Sequence, residues 1–213
     1  LTTTSDDPVL TFPSVSSNQG AGQVNAVVPD GSGGWYIGGY FTKVGNQWRS
    51  NLARINSDGT VNTDWNPGAN GSVFSIAVDG SSVYVGGNFS EAGGQPNSYF
   101  AKLTNTTGSA DGSFTAQADD IVRVLAVNGD YLYVGGHFNN INTQERHYLA
   151  KLDKTTGTVD VTWVPNPNDV VYAIAFYLDG INWDVYVGGN FNTIGGLAKP
   201  KIALLNDTNG SAD

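Results

Sequence analysis

Gln47, Trp48 and Arg49, then Gln95 and Asn97, then Gln144, Arg146 and His147 fall at one stage of a repeating chain, with Glu91 and Glu145 beside them. Planar amides both donate and accept hydrogen bonds, and indole, guanidinium and imidazole rings offer flat faces or fixed donors. Such a set suits sugar hydroxyls, so these residues are read as a loop face that binds a glycan or a protein surface.

A second set, Asn66, Asn70, Asp119, Asp120, Asn166, Asn168 and Asp169, offers oxygens of the kind Ca²⁺ takes roughly six to eight of. No loop has the dense Asp and Gly alternation of a calcium loop, so these side chains are expected to satisfy turn amides. No cofactor is expected, Ca²⁺ being the one these oxygens would admit, and no dedicated metal site. Asp64, Asp111 and Asp160 recur just before aromatic residues and are likewise assigned to turns. His137 and His147 have no Ser, Cys or carboxylate at a spacing that would build a nucleophile and base. A phosphate loop, a nucleophile elbow and a metalloprotease helix are all missing from the sequence. No catalytic residue is therefore named, and the chain is not expected to be an enzyme.

Composition narrows the partners. The 213 residues include ten Lys and Arg against nineteen Asp and Glu, a formal net charge of −9. Nucleic acid and anionic membranes demand clustered basic residues, so neither is an expected partner. No run reaches the ~18 apolar residues of a spanning helix, so membrane insertion is not expected. With no Cys, disulfides, thiol nucleophiles and thiolate metal sites are excluded. The chain has no Met and begins at Leu1, as a processed protein or an excerpt of a longer one would.

What must position these loops is a repeat. Tyr-[Ile/Val]-Gly-Gly-x-Phe occurs at residues 36–41, 84–89, 133–138 and 186–191, 48 to 53 residues apart. Self-similarity of about 40 to 50 residues in short β-rich units predicts a β-propeller with one blade per repeat. The first strand of each unit is an apolar run, 24–28, 73–78, 122–127 and 171–176, expected to be buried on both faces. Asp79-Gly80 and Asn128-Gly129 read as hairpin turns with both central residues at positive φ. The second strand carries the motif, whose paired glycines predict close backbone approach or a bulge. Its Phe is expected between neighbouring blades. A third strand follows, then an outer strand with Asp64-Trp65, Asp111 with Phe114, or Asp160 with Trp163.

The expected fold class is all-β: a β-propeller of four-stranded antiparallel blades, four repeats in one domain spanning 1–213. The repeats lie at 24–67, 73–114, 122–165 and 171–206, with 7–15 supplying the outer strand of the last blade. Such closure would remove exposed sheet edges. Four units of a longer array are the other reading.

Asn51-Leu52-Ala53-Arg54-Ile55-Asn56, Asp58-Gly59-Thr60, Asp64-Trp65-Asn66-Pro67-Gly68, the apolar run ending at Asp79-Gly80, and then Gly-Gly-x-Phe, read in that order, resemble the delta-sixty type of β-propeller repeat. That family occurs in large secreted and surface-anchored bacterial proteins, and the resemblance covers the chain from Asp7 on. It implies an extracellular or cell-surface location, a role in adhesion, matrix or surface assembly, and no shared catalytic residues. Ala150-Lys151-Leu152-Asp153 with Thr156-Gly157 is similar to the tryptophan-docking repeat of quinoprotein propellers, although Trp163 comes later than that pattern needs.

The expected function is a secreted or cell-surface structural or adhesive module presenting loops to a glycan or surface protein. One alternative is an extracellular filament subunit that donates its N-terminal strand to another copy of itself. Another is the propeller domain of an enzyme, quinoprotein-like or glycosidase-like, which would need carboxylates or cations converging at the channel mouth.

Overall fold

The computed structural model describes residues 12–178, 180 and 183–213, and these form strands and turns with no helix. Three-stranded antiparallel sheets recur along the chain. The first contains Gln23–Pro29, Trp35–Tyr40 and Leu52–Ile55; the second, Ser72–Asp79, Ser82–Asn88 and Phe100–Thr104. The third contains Val122–Asn128, Tyr131–Gly136 and Leu149–Asp153; the fourth, Val171–Leu178, Trp183–Gly189 and Ile202–Asn206. In each, the strand carrying the glycine pair lies in the middle. Val, Ile, Tyr and Phe dominate these strands because branched and aromatic side chains suit a pleated, half-buried surface.

The outer strand is reduced to a single bridge in every unit: Ile55 with Val61, Leu103 with Ala110, Leu152 with Val159 and Leu205 with Ala212. The fourth unit thus has its own outer element, where the Asp213 amide also donates to the Leu204 carbonyl at 3.1 Å. The N-terminal segment, expected on that last unit, sits on the first instead. Val15 and Ser16 pair with Val44 and Lys43, and Phe12 packs edge-on against Trp35 at 5.2 Å. Residues 7–11 of the expected strand lie outside the described residues.

Hairpin register also differs from expectation. Asp79 pairs with Ser82 and Asn128 with Tyr131, so both polar residues end their strands rather than enter the turn. Gly80 and Gly129 then take the first central place, at φ 56° and 57°, and the residues after them are not left-handed. Cross-strand pairs such as Val78 with Val83 set this register, because a one-residue slip would turn the apolar face outward.

The two glycines of the motif have different duties. A Cβ on Gly39, Gly87, Gly136 or Gly189 would run into a carbonyl at or just before the start of the first strand of its own sheet, beside a register shift such as Val73/Ser75. A Cβ on Gly38, Gly86 or Gly135 would instead lie 2.6 to 2.7 Å from Cγ1 of Val73, Val122 or Val171 in the following unit. The first glycine makes room for the neighbour, and the second for the bulge.

The motif Phe packs where two units meet in three of the four copies: Phe89, Phe138 and Phe191 share core clusters with residues of the preceding unit. Phe41 is buried with Ile37, Val44, Ala53 and Ile55 of its own unit, under its own hairpin. The junctions are filled by the motif Tyr and the outer aromatic of the same unit: Tyr36 with Trp65, Tyr84 with Phe114 and Tyr133 with Trp163, at ring separations of 4.8, 5.9 and 5.4 Å. Packing runs from first to second, second to third and third to fourth unit, and among the described residues no comparable packing joins the fourth to the first. The units form an open arc.

Acid should weaken this arc at identifiable points. Asp30 accepts from the amides of Ser32 and Gly34, each at 2.8 Å, and pairs with Arg54 at 2.7 Å. Burial works to raise its pKa, but hydrogen bonds from Ser32, Arg54 and Gly34 outweigh that and lower it to about 2. Asp111 is lowered to about 2 chiefly by the Ser113 hydroxyl, against burial, with help from Lys102. A carboxylate with a depressed folded pKa stabilises the fold above its unfolded value and loses that contribution as pH falls through the folded one. The urea midpoint is therefore expected to fall as pH drops from about 4 toward about 2, and Asp30→Asn should flatten part of that decline. An unchanged profile in Asp30→Asn would refute the assignment.

Candidate functional site

Each unit continues past its Phe into a short hairpin. These are Lys43–Val44 with Gln47–Trp48, Glu91–Ala92 with Gln95–Pro96, Asn140–Ile141 with Gln144–Glu145, and Thr193–Ile194 with Leu197–Ala198. The linker from the preceding unit docks on the hairpin, through bridges from Ala69 to Ala92 and from Ala118 to Ile141. The next linker residue caps the turn before the hairpin. Asn70 Oδ1 accepts from the Ser90 and Glu91 amides at 2.9 and 3.1 Å, and Asp119 Oδ1 from Asn139 and Asn140 at 2.9 and 3.0 Å. Asn168 Oδ1 accepts from Asn192 and Thr193 at 2.8 and 3.1 Å.

These are oxygens that calcium would need. Turn amides already occupy them, and burial, which would raise the Asp119 pKa, is outweighed by hydrogen bonds from Asn140 and Asn139. Asp120 and Asp169 accept from the amides of Ile121 and Val170. Among the described residues no three His, Cys, Asp or Glu side chains converge on a metal position.

The recurring carboxylates resolve into one register. Asp111 accepts from the Ser113 amide and hydroxyl, and Asp160 from those of Thr162. In the first unit this position is Asn62, whose Oδ1 accepts from the Trp65 amide at 2.9 Å; Asp64 is out of register. All three residues begin the turn that aims the aromatic into the junction.

Arg49 and Arg146, expected on the exposed loops, are only 5% and 7% exposed. Arg49 donates to the carbonyls of Trp48 and Asn62, both at 2.7 Å. Arg146 donates to those of Glu145 at 2.6 Å and Asp160 at 3.1 Å. Each guanidinium clamps the hairpin to the outer element, and burial lowers the pKa of both. Their Nε atoms are buried without a hydrogen-bond partner among the described residues. Sequence cannot distinguish such a clamp from a surface Arg, since what matters is the outer element folding back over it.

Several clefts open at the hairpin edge, and two of them lie at matching places on successive units. One, of about 340 Å³, is lined by Gln144, Glu145, Arg146, His147, Val164 and Asn166. The other, of about 360 Å³, lies at the matching place one unit earlier, with Gln95, Asn97, Asp111, Thr115 and Gln117 in its wall. The structure thus brings Gln144, Arg146 and His147 together, and Gln95 with Asn97. His147 is held between Glu145 Oε1 at 2.7 Å and Asn139 Oδ1 at 3.0 Å. Gln47 and Trp48 stand apart on the first hairpin, with the Trp48 ring 68% exposed and Lys43 Nζ 5.5 Å from its centre. Thr115 and Gln117 were not singled out from the sequence. The repeat period would have found them, because they occupy the places of Val164 and Asn166.

Segments 29–64, 81–114 and 132–162 match the family model described as "Domain of unknown function (DUF5122) beta-propeller". No curated protein matches the chain. Among solved structures, the computationally designed Ika8 protein is similar over 95% of this chain and 51% of its own, at 14% identity and a TM-score of 0.58. The computationally designed Ika4 protein is similar over 92% and 98%, at 14% identity and a TM-score of 0.55. The WD40 beta propeller domain of Doa1 is similar over 93% and 69%, at 17% identity and a TM-score of 0.46. The chain thus spans about half the length of the Ika8 chain. With the family match falling on three successive repeats, the protein is a repeat-built β-propeller. No helix among the described residues is long and apolar enough to cross a membrane.

Proposed function

We propose that this β-propeller is a secreted or cell-surface structural and adhesive module, of the delta-sixty repeat type, whose hairpin edge holds a glycan. On this reading each unit is one four-stranded blade, its outer strand reduced to a bridge, and the role is binding without catalysis. The observation that carries it is the pair of polar clefts at matching places, where Gln144 and Asn166 repeat the amides of Gln95 and Gln117 one unit away, with His147 in one wall and Asn97 in the other. An amide both donates and accepts, as a sugar hydroxyl does, and two like clefts one unit apart suit a polymer of repeating sugars better than one compact ligand.

The test is a glycan array followed by titration of the best hit. Gln144→Ala with His147→Ala is expected to weaken binding at least ~10-fold, taking about 1 kcal/mol per hydrogen bond lost, while the thermal midpoint stays within a degree or two. Absence of any glycan binding by the unaltered protein would sink this reading.

A further inference from the structure

The two ends of the arc are complementary halves of the junction that the chain makes three times internally. At each internal junction a motif Tyr and the residue opposite the first glycine leave one unit and pack on the next. Tyr36 with Leu52, Tyr84 with Phe100 and Tyr133 with Leu149 are at most 1% exposed. Their fourth-unit counterparts, Tyr186 and Ile202, are 39% and 65% exposed. Gly188 shows the same vacancy: a Cβ there meets nothing nearer than Ala173 Cβ at 3.5 Å, where Gly38, Gly86 and Gly135 each face a valine of the following unit.

The receiving half stands open on the first unit. Val73, Ile76, Val83, Val85 and Leu103 enclose Tyr36 at the first junction. Their counterparts Val24, Val27, Trp35, Ile37 and Ile55, with Phe12 beside them, line an apolar cleft of about 500 Å³. Val24 and Val27 are exposed where Val73 and Ile76 are buried. One polar contact completes the match: Tyr84 donates to the Lys154 carbonyl at 2.7 Å, and the residue in that place on the first unit is Ser57.

We infer that a second copy of this chain docks head to tail, Tyr186 and Ile202 of one copy filling the Val24, Val27 and Trp35 cleft of the other. Two such contacts close a ring of eight units. The occupant follows from the chain itself, which carries both the plug and the socket of a joint it already forms three times. Two copies match the length of a similar chain, since this arc covers 51% of the Ika8 chain and leaves room there for one further arc. Heterologous contacts close into rings when the rotation per copy permits, and here two arcs suffice. The inference does not depend on the glycan reading.

The first measurement is solution mass against concentration, by sedimentation equilibrium. The unaltered protein is expected at twice the mass of one chain. Val27→Asp buries an unpaired charge in the joint and is expected to weaken association on the order of 100-fold or more. Gly188→Val fills the place of Val24 and should do the same, while both variants keep the thermal midpoint of the dissociated chain. The second measurement uses the absence of Cys from the chain. At the internal junction a Cβ on Gly38 lies 3.2 Å from Val73 Cβ, close to the ~3.5 to 4.5 Å that a disulfide spans. Val24→Cys with Gly188→Cys is therefore expected to give a covalent two-chain species on oxidation. A monomer at all concentrations, an open polymer, or a disulfide within one chain would overturn the inference.

Discussion

Gly86→Val is expected to destabilise the protein by about 3 kcal/mol or more, at the upper end of overpacking costs. Its φ is not left-handed, so the penalty is steric alone. A Cβ there would lie 2.6 Å from Val122 Cγ1 and 3.2 Å from Leu125 Cδ1, and the rest of the valine would go deeper. Neither neighbour can retreat. Val122 is fully buried and Leu125 nearly so, in a cluster that includes Phe100, Leu132 and Phe138. Gly188→Val is the matched control, the same change at the same place in the motif with open space beyond it. In dilute protein it should stay within about 1 kcal/mol of the unaltered chain, since valine favours a strand that glycine weakens. Urea unfolding of both variants decides the matter. Equal losses would mean that the first glycine is not there to admit the next unit.

The second large effect is expected at the last junction. Trp163 is fully buried, packs on Tyr133 at 5.4 Å, and donates from Nε1 to the Asn206 carbonyl at 3.0 Å. Trp163→Ala removes the ring and leaves that carbonyl without its donor, so a loss of about 3 to 5 kcal/mol is expected. Trp163→Phe keeps most of the volume and should lose about 1 to 2 kcal/mol, mainly the hydrogen bond. Because each unit contacts only its neighbours, stability in such an array is approximately a sum of units and junctions. Trp163→Ala should therefore release the fourth unit first. Hydrogen exchange would show it, with protection lost in residues 183–189 and kept in 82–88. Uniform loss across all units would instead mean that the arc unfolds as one body.

Much of the fold is legible along the chain. Tyr-[Ile/Val]-Gly-Gly-x-Phe marks every middle strand, the apolar run before it every first strand, and both lie where the period puts them. Those features are local: strand and turn preferences act over a few residues, and repetition confirms each one. Less of the candidate site is legible. Gln95 and Asn97, and Gln144 with His147, do fall into shared clefts, because loops at the same stage of a repeat end up at the same edge. Arg49 and Arg146 do not stay in solvent, and Asn70, Asp119 and Asn168 spend their oxygens on turns one unit further along. These outcomes depend on which backbone passes over a side chain, and residues about 20 apart decide it.

By itself, then, the sequence determined a β-propeller built of like units, the order of the first three strands in each and the edge on which variable loops gather. Tertiary structure alone decided which glycine faces the neighbour, that the motif Tyr stacks on the outer aromatic at each junction, and that Ala212 and Asp213 form the last outer element. It also decided that the arc ends on two unlike faces. A strand's pattern is written in its own residues, but burial belongs to pairs of surfaces. Tyr186 has the same motif as Tyr36 and is exposed where Tyr36 is buried, because among the described residues no unit packs on it.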